Sequence, residues 1–286
     1  MEIKAFTLDD KADLTFNQLL GINNEGVIAG YFGSGTPANV HPNKGYTVHP
    51  GYDQDDFVNE NFPGSQQTQV TGINNRDLTV GFYADANGDN FGFVEHDGQF
   101  TRVFDPAAPQ PAPGTPSVQQ LLGVNDRDIA VGFYTDANGV NHGFTYDVSK
   151  GSFDAVNVSG FSNVTAAAIN NDNDIAGFGT FNGKTDGFVE DDKGHVTVLS
   201  GPSGAVSTQA LGLNNEGEVV GSWTDGAGNT HGFLYDLRNG QYTTIDEGNK
   251  TMTVINGLND KDELVGFYLD AKGNTNGLLI QASDRH

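Results

Sequence analysis

The chain has 286 residues, with 14 basic against 37 acidic side chains and a formal net charge of −23. That excess repels the phosphates that draw proteins through Lys and Arg, so nucleic acid and anionic membrane surfaces are poor partners, and cations or neutral ligands are better ones. With no Cys there is no disulfide, thiolate catalysis or thiolate metal site, and no apolar run approaches the ~20 residues that span a bilayer.

Met1-Glu2-Ile3-Lys4 leads directly into a strand, without the regions of a signal peptide. Residues Ile3 to Asp9 read as the outer strand of a unit whose other strands do not precede it. From Gly21 the run GINNEGVIAGYF opens a pattern that returns as GINNRDLTVGFY at Gly72 and GVNDRDIAVGFY at Gly123. It returns again as AINNDNDIAGFG at Ala168, GLNNEGEVVGSW at Gly212 and GLNDKDELVGFY at Gly257. The anchors Asn23, Asn74, Asn125, Asn170, Asn214 and Asn259 are 51, 51, 45, 44 and 45 residues apart, the period of a four-stranded propeller blade.

In the fifth copy, strand a is expected over Thr208 to Asn214, b over Glu218 to Thr224, c over His231 to Asp236 and d over Gln241 to Asp246. Asn-Gly and Asp-Gly pairs such as Asn87-Gly88, Asp97-Gly98 and Asn138-Gly139 supply the positive φ of tight hairpins. Phe82-Tyr83, Phe133-Tyr134 and Phe267-Tyr268 place aromatics on both sides of strand b, so both faces of the sheet must be covered. No segment shows a sustained 3.6 period, and no helix is expected. The last copy stops after its strand c, Gly277-Leu278-Leu279-Ile280, so the N-terminal strand supplies the missing d. The expectation is an all-β, six-bladed β-propeller of four-stranded antiparallel blades. It forms one domain over residues 1–286, and its ring is closed by the N-terminal strand completing the last blade. An open solenoid would instead need polar caps.

The run GLNNEGEVVGSWTDGAGNTHGFLYD, from Gly212 to Asp236, resembles the bacterial extracellular HAF repeat, named for a His-Ala-Phe element. Here that element is His142-Gly143-Phe144 and His231-Gly232-Phe233, with Gly in place of Ala. The other blades carry Lys44, Phe91, Asp186 and Asn276 where those His stand. The likeness covers nearly the whole chain through the Asn-Asn-x-Gly and Val-Gly parts. It implies a secreted propeller-like protein and carries over no catalytic residue.

The anchoring Asn of each copy can bond the backbone of its own turn, and six identical copies point to structure rather than to a ligand. Three residues before each anchor motif stand Gln18, Gln69, Gln120, Thr165, Gln209 and Val254. Strand a is innermost, so they surround the channel mouth, where the amides suit either a hydroxyl-rich ligand or a plug of ordered water. His142, Asp186 and His231 match across three consecutive blades, but they begin strand c, which separates them by well over ~10 Å. Zinc ligands lie within ~2.3 Å of the ion, so these three are expected to be hydrogen-bonded blade residues.

Asp85, Asn87 and Asp89 alternate like the opening of a calcium loop, without its Gly at the sixth place or its Glu at the twelfth, where His96 stands. A weak calcium site, the one cofactor suggested, competes there with a hairpin capped by Asp. The first blade is longer between Gly33 and Tyr46 and brings His41, Lys44 and His49. The link from Asp105 to Ser117 carries Pro106, Pro109, Pro111, Pro113 and Pro116 and should form a semi-rigid wall beside the Gln ring.

The expected function is binding of a neutral, hydroxyl-rich ligand such as a glycan at the channel mouth. The protein is expected to be monomeric and extracellular or periplasmic, with any leader outside this sequence. One alternative is an enzyme (lyase, hydrolase or isomerase) acting on a small molecule or polysaccharide at the same face, with acid–base groups among His41, His49, Tyr83 and Tyr134. The other is a protein-interaction platform on the variable loops.

Overall fold

Strands with apolar side chains on both faces are stable only when each sheet lies between two others. Six four-stranded antiparallel sheets meet that demand around one axis in the computed structural model. It describes residues 3–282 except 38–39, 106, 109–113 and 249–250, so Pro106, Pro109, Pro111 and Pro113 lie outside the described residues. The innermost strands are Asn17–Ile22, Gln67–Ile73, Gln119–Val124, Phe161–Ile169, Ser207–Leu213 and Thr253–Leu258. In blade five the remaining strands are Glu218–Thr224, Thr230–Asp236 and Gln241–Ile245, within a residue of the expectation at each end.

The six hydrophobic clusters each straddle a blade boundary. Val219 packs with Ala176, Val189 and Leu199 of blade four, while its neighbour Val220 packs with Ile255, Leu258 and Leu278 of blade six. Adjacent residues of one strand thus serve two different cores, as side-chain alternation requires. The Phe of each His-Gly-Phe element, Phe144 and Phe233, is buried in such a core.

The ring closes as expected. Ile3–Thr7 pairs antiparallel with Thr275–Ala282, from Ile3 opposite Ala282 to Thr7 opposite Leu278. Leu8 N donates to Gly277 O at 3.0 Å and Gly277 N donates to Asp9 Oδ1 at 2.7 Å. Burial, aided by the charge of Asp270 and opposed by the Gly277 N–H, lifts the Asp9 carboxyl to about 6.

Two features depart from the expectation. A three-residue 3-10 helix, Gln54–Asp56, stands before the outer strand of blade one, where Asp53 N donates to Asp56 Oδ2 at 2.9 Å. Three residues are too few to leave a periodic signal. Every innermost strand also slips its register by one residue, between Leu19 and Gly21, Val70 and Gly72, Leu121 and Gly123, Ala166 and Ala168, Ala210 and Gly212, and Ile255 and Gly257. These bulges turn one extra side chain per blade toward the axis. Adjacent bulges approach closely: a Cβ at Gly21 would stand 3.0 Å from the Cα of Gly72, and one at Gly72 would stand 3.1 Å from the Cα of Gly123.

Candidate functional site

The anchoring Asn residues do two jobs at once. Asn23 Oδ1 accepts from Glu25 N and Val27 N of its own turn, at 3.0 and 2.9 Å, and each of the other five caps its turn in the same way. Its Nδ2 donates to the main-chain O of the next anchor, and the series runs unbroken through Asn74, Asn125, Asn170, Asn214 and Asn259 back to Asn23. The structural expectation holds for these six, with an inter-blade role added.

One residue further on is a second ring: Asn24, Asn75, Asp126, Asn171, Asn215 and Asp260. Each backbone N–H donates to the side-chain Oδ1 of the next member, at 2.6–2.9 Å, and Asp260 returns to Asn24. The spare amides converge on two poles. Asn75 and Asn171 donate to Asp126 Oδ2, and Asn24 and Asn215 to Asp260 Oδ2. Burial pushes the Asp260 carboxyl up, but the bonds from Asn24 and Asn215 outweigh it and hold the group below its usual range. The repeat pattern carried the signal for this ring, since the residue after each anchor is always Asn or Asp.

Within the rings lies an axial cavity of about 360 Å³. Its waist is formed by the bulge residues Leu20, Thr71, Leu122, Ala167, Leu211 and Asn256, and the second ring forms its rim. Thr71 Oγ1 donates to Leu121 O and Asn256 Nδ2 donates to Leu19 O, so these two polar side chains are committed to the wall. Of the predicted Gln ring, Gln69 and Gln120 line the cavity, together with Phe82, which sits opposite Gln69 across the strand pair. Gln18 and Gln209 are half-buried outside its lining, and Val254 is buried. Thr165 is buried as well, its hydroxyl accepting from Asn141 Nδ2 at 3.1 Å. The side chains of Gln69 and Gln120 make no hydrogen bond to a described residue.

The other predicted residues lie away from the axis. Asp85 Oδ1 accepts from Asn87 N and Asp89 N, and Asp89 Oδ1 takes Ser117 N at 2.6 Å, so the turn uses these carboxylates itself. The same cap recurs at Asp136, Asp191, Asp225 and Asp270. Among the described residues no three His, Cys, Asp or Glu side chains are grouped to hold a metal ion. His142, Asp186 and His231 each have local partners: Asp136 at 3.0 Å, Lys184 at 3.1 Å, and both Asp225 and Asp246. His41 pairs with Asp13 at 3.1 Å, and Tyr83 stacks on Phe62 with centroids 3.8 Å apart. Neither they nor His49 and Tyr134 line the axial cavity, whose ionisable groups among the described residues are Asp126 and Asp260.

No known family profile matches the chain, and no curated protein matches it in sequence. Solved structures do match in shape. TolB from Acinetobacter baumannii superposes with a TM-score of 0.56 at 11% identity over 96% of this chain, which spans 65% of that protein. The virginiamycin B lyase of Staphylococcus aureus gives 0.56 at 10% identity, covering 99% of this chain and 100% of that one. The Aleuria aurantia lectin, solved in complex with Fucα1-6GlcNAc, gives 0.57 at 9% identity with 93% of each chain covered. The likeness is one of fold. At such identities the shared propeller carries no residue roles, and the resemblance to HAF repeats rests on the motifs alone.

Proposed function

We propose that the protein is an extracellular or periplasmic binding module that takes a neutral, hydroxyl-rich ligand such as a glycan terminus into the axial cavity. The observation that carries this is the cavity's chemistry. Asn24, Asn75, Asn171, Asn215, Gln69 and Gln120 line it with amides, and Leu20, Leu122, Leu211 and Phe82 supply apolar surface. Amides offer donors and acceptors together, as hydroxyl groups require, and the volume is in the range of small-ligand pockets. The two carboxylates present each accept from a pair of amides, so one oxygen of each is tied into the rim. A lectin and a lyase among the structural neighbours show that both binding and catalysis are built on this architecture. Among the described residues the only ionisable groups of this lining are Asp126 and Asp260, each already accepting from two amides, which supports binding over acid–base catalysis.

The test is a Gln69→Leu/Gln120→Leu double variant against ligands found by glycan array or thermal-shift screening. Each lost hydrogen bond to a neutral ligand removes ~0.5–1.5 kcal/mol, so affinity should fall by roughly ten-fold or more while the melting temperature holds. Unchanged affinity in the double variant would place the site elsewhere. Loss of binding on altering the link between Asp105 and Ser117 instead would support the interaction-platform alternative.

A further inference from the structure

Blades three and five carry the same His on the same scaffold, with different surroundings. In blade five, His231 stacks on Trp223 with centroids 4.4 Å apart, and both ring nitrogens are engaged: Nδ1 by Asp246 at 2.7 Å and Nε2 by Asp225 at 3.4 Å. Its side chain is 14% exposed. In blade three, His142 stacks on Tyr134 at 4.9 Å and holds Asp136 through Nε2 at 3.0 Å. The position matching Asp246 is Asn157, because Gly143 faces Val156 as Gly232 faces Ile245. Nδ1 of His142 has no partner among the described residues, and the side chain is 43% exposed.

The open His borders a cavity of about 650 Å³ between blades three and four. Its walls include the aromatic rings of Tyr134, Phe153 and Phe161, and its charged residues, Asp105 and Asp154, are both acidic. Hydrogen bonds from His142 and from the Val140 and Asn138 amides hold Asp136 down to about 2, so this carboxylate only accepts. The proton therefore sits on Nε2, and in the neutral ring Nδ1 presents a lone pair. Burial, and then the charges of Asp105 and Asp136, push the Tyr134 phenol above its usual range, so it remains un-ionised beside the cavity.

We propose that this inter-blade cavity binds a small ring-bearing organic ammonium ion, whose N–H groups are received by His142 Nδ1 and Asp105 and whose ring lies against Tyr134, Phe153 and Phe161. The acceptor-rich lining, the aromatic faces and the absence of Lys or Arg among its described residues all select a cation. The protein's large negative charge raises the local concentration of such ligands.

Benzylamine, benzoate and glucose serve as the probes, each titrated into isotope-labelled protein by NMR with the His142 ring resonances followed directly. Benzylamine is expected to shift them saturably, with benzoate and glucose inert at equal concentration. His142→Phe keeps an aromatic stack on Tyr134 but removes the acceptor, and should weaken benzylamine by roughly five-fold or more. The Asp105→Asn/Asp154→Asn double variant preserves shape. It should weaken benzylamine by roughly ten-fold and reduce the salt dependence of binding. The idea is overturned if benzylamine leaves the His142 resonances unmoved. It also fails if glucose or benzoate binds there in preference, or if the Asp double variant binds benzylamine as the parent does. Should His142→Phe not fold, the Asp105→Asn/Asp154→Asn variant decides alone.

Discussion

Replacing Asn74 tests whether the anchor ring is a stabilising lattice or a passive decoration. Asn74 is 3% exposed and makes four contacts. Oδ1 accepts from Arg76 N at 2.9 Å and Leu78 N at 3.1 Å, while Nδ2 donates to Asn125 O and to Asp128 Oδ1, both at 3.0 Å. Alanine removes them all and takes the side-chain partner from two turn donors and an inter-blade carbonyl. At ~1 kcal/mol per bond, Asn74→Ala should cost ~3–4 kcal/mol, a large share of a typical folding free energy. Asn74→Asp separates the two roles. It keeps the turn acceptor but sets a carboxylate against the Asn125 carbonyl and the Asp128 carboxylate. The new acid's pKa rises in the folded state, so the folded chain retains a proton that the unfolded chain releases. Its stability is therefore near the parent's at low pH and is lost as pH climbs above ~4, whereas the Ala variant carries no such dependence. Urea unfolding followed by the fluorescence of Trp223, with linear extrapolation at several pH values, reads both. A loss below ~1 kcal/mol for Ala, or a pH-independent loss for Asp, would refute the two-role account.

Deleting residues 1–9 leaves Thr275–Ala282 as an unpaired edge and uncovers Leu19, Ile28 and Leu279 around the missing Leu8. Aggregation or a large drop in melting temperature is expected, and a normal melt would count against closure. Glu60 and Glu95 both lie within hydrogen-bonding reach of the Thr79 hydroxyl, at 3.0 and 3.3 Å, and burial together with the neighbouring Glu95 carboxyl drives the Glu60 pKa upward. The folded chain thus holds a proton that the unfolded chain gives up, so stability falls as pH rises beyond the normal carboxylate range. Asp9, lifted to about 6, is only half-titrated at that pH, so the part of the slope owed to Glu60, lifted to about 8, is the part that Glu60→Gln removes in thermal melts; a slope unaltered by Glu60→Gln would remove the assignment. Because Asp85 already caps its turn, calcium and a chelator should leave the melting temperature unchanged, and stabilisation by calcium would reinstate the ion at Asp85, Asn87 and Asp89.

The architecture was readable because each blade repeats the same kind of local signal: Asn at the first turn, Val-Gly or Ala-Gly in strand b, and Gly followed by Phe, Tyr or Leu in strand c. The missing outer strand of the last copy and the spare strand at the start fixed closure in the same way. What local patterns could not carry was contact between copies. Asn23 shows its turn-capping oxygen in the sequence, but the acceptor of its amide is 51 residues away and is defined only once the ring forms. The bulge at Leu20 and its counterparts was hidden for a related reason. It accompanies the close approach of Gly21 to Gly72 across a blade boundary, which the alternation within one strand does not record. The Gln ring was drawn from its distance to the anchor, and register does align those positions. Neighbouring packing then decides which of them reach the axis, so Gln69 and Gln120 line the cavity and Thr165 turns to Asn141.

Both amide circuits run in one sense, each blade donating to the next, and the step from blade six to blade one has the same bonds as the other five. The junction where the chain is cut is therefore mechanically ordinary there: the sequence has two ends, but the hub has none. A circular permutant that joins the present termini through a short linker and opens a different outer turn should present the same hub. Its folding would report whether the order in which the blades leave the ribosome matters to their assembly. In an array of open repeats, losing a terminal unit breaks one interface; here, releasing any blade breaks two, so the blades are expected to melt together rather than to fray from an end.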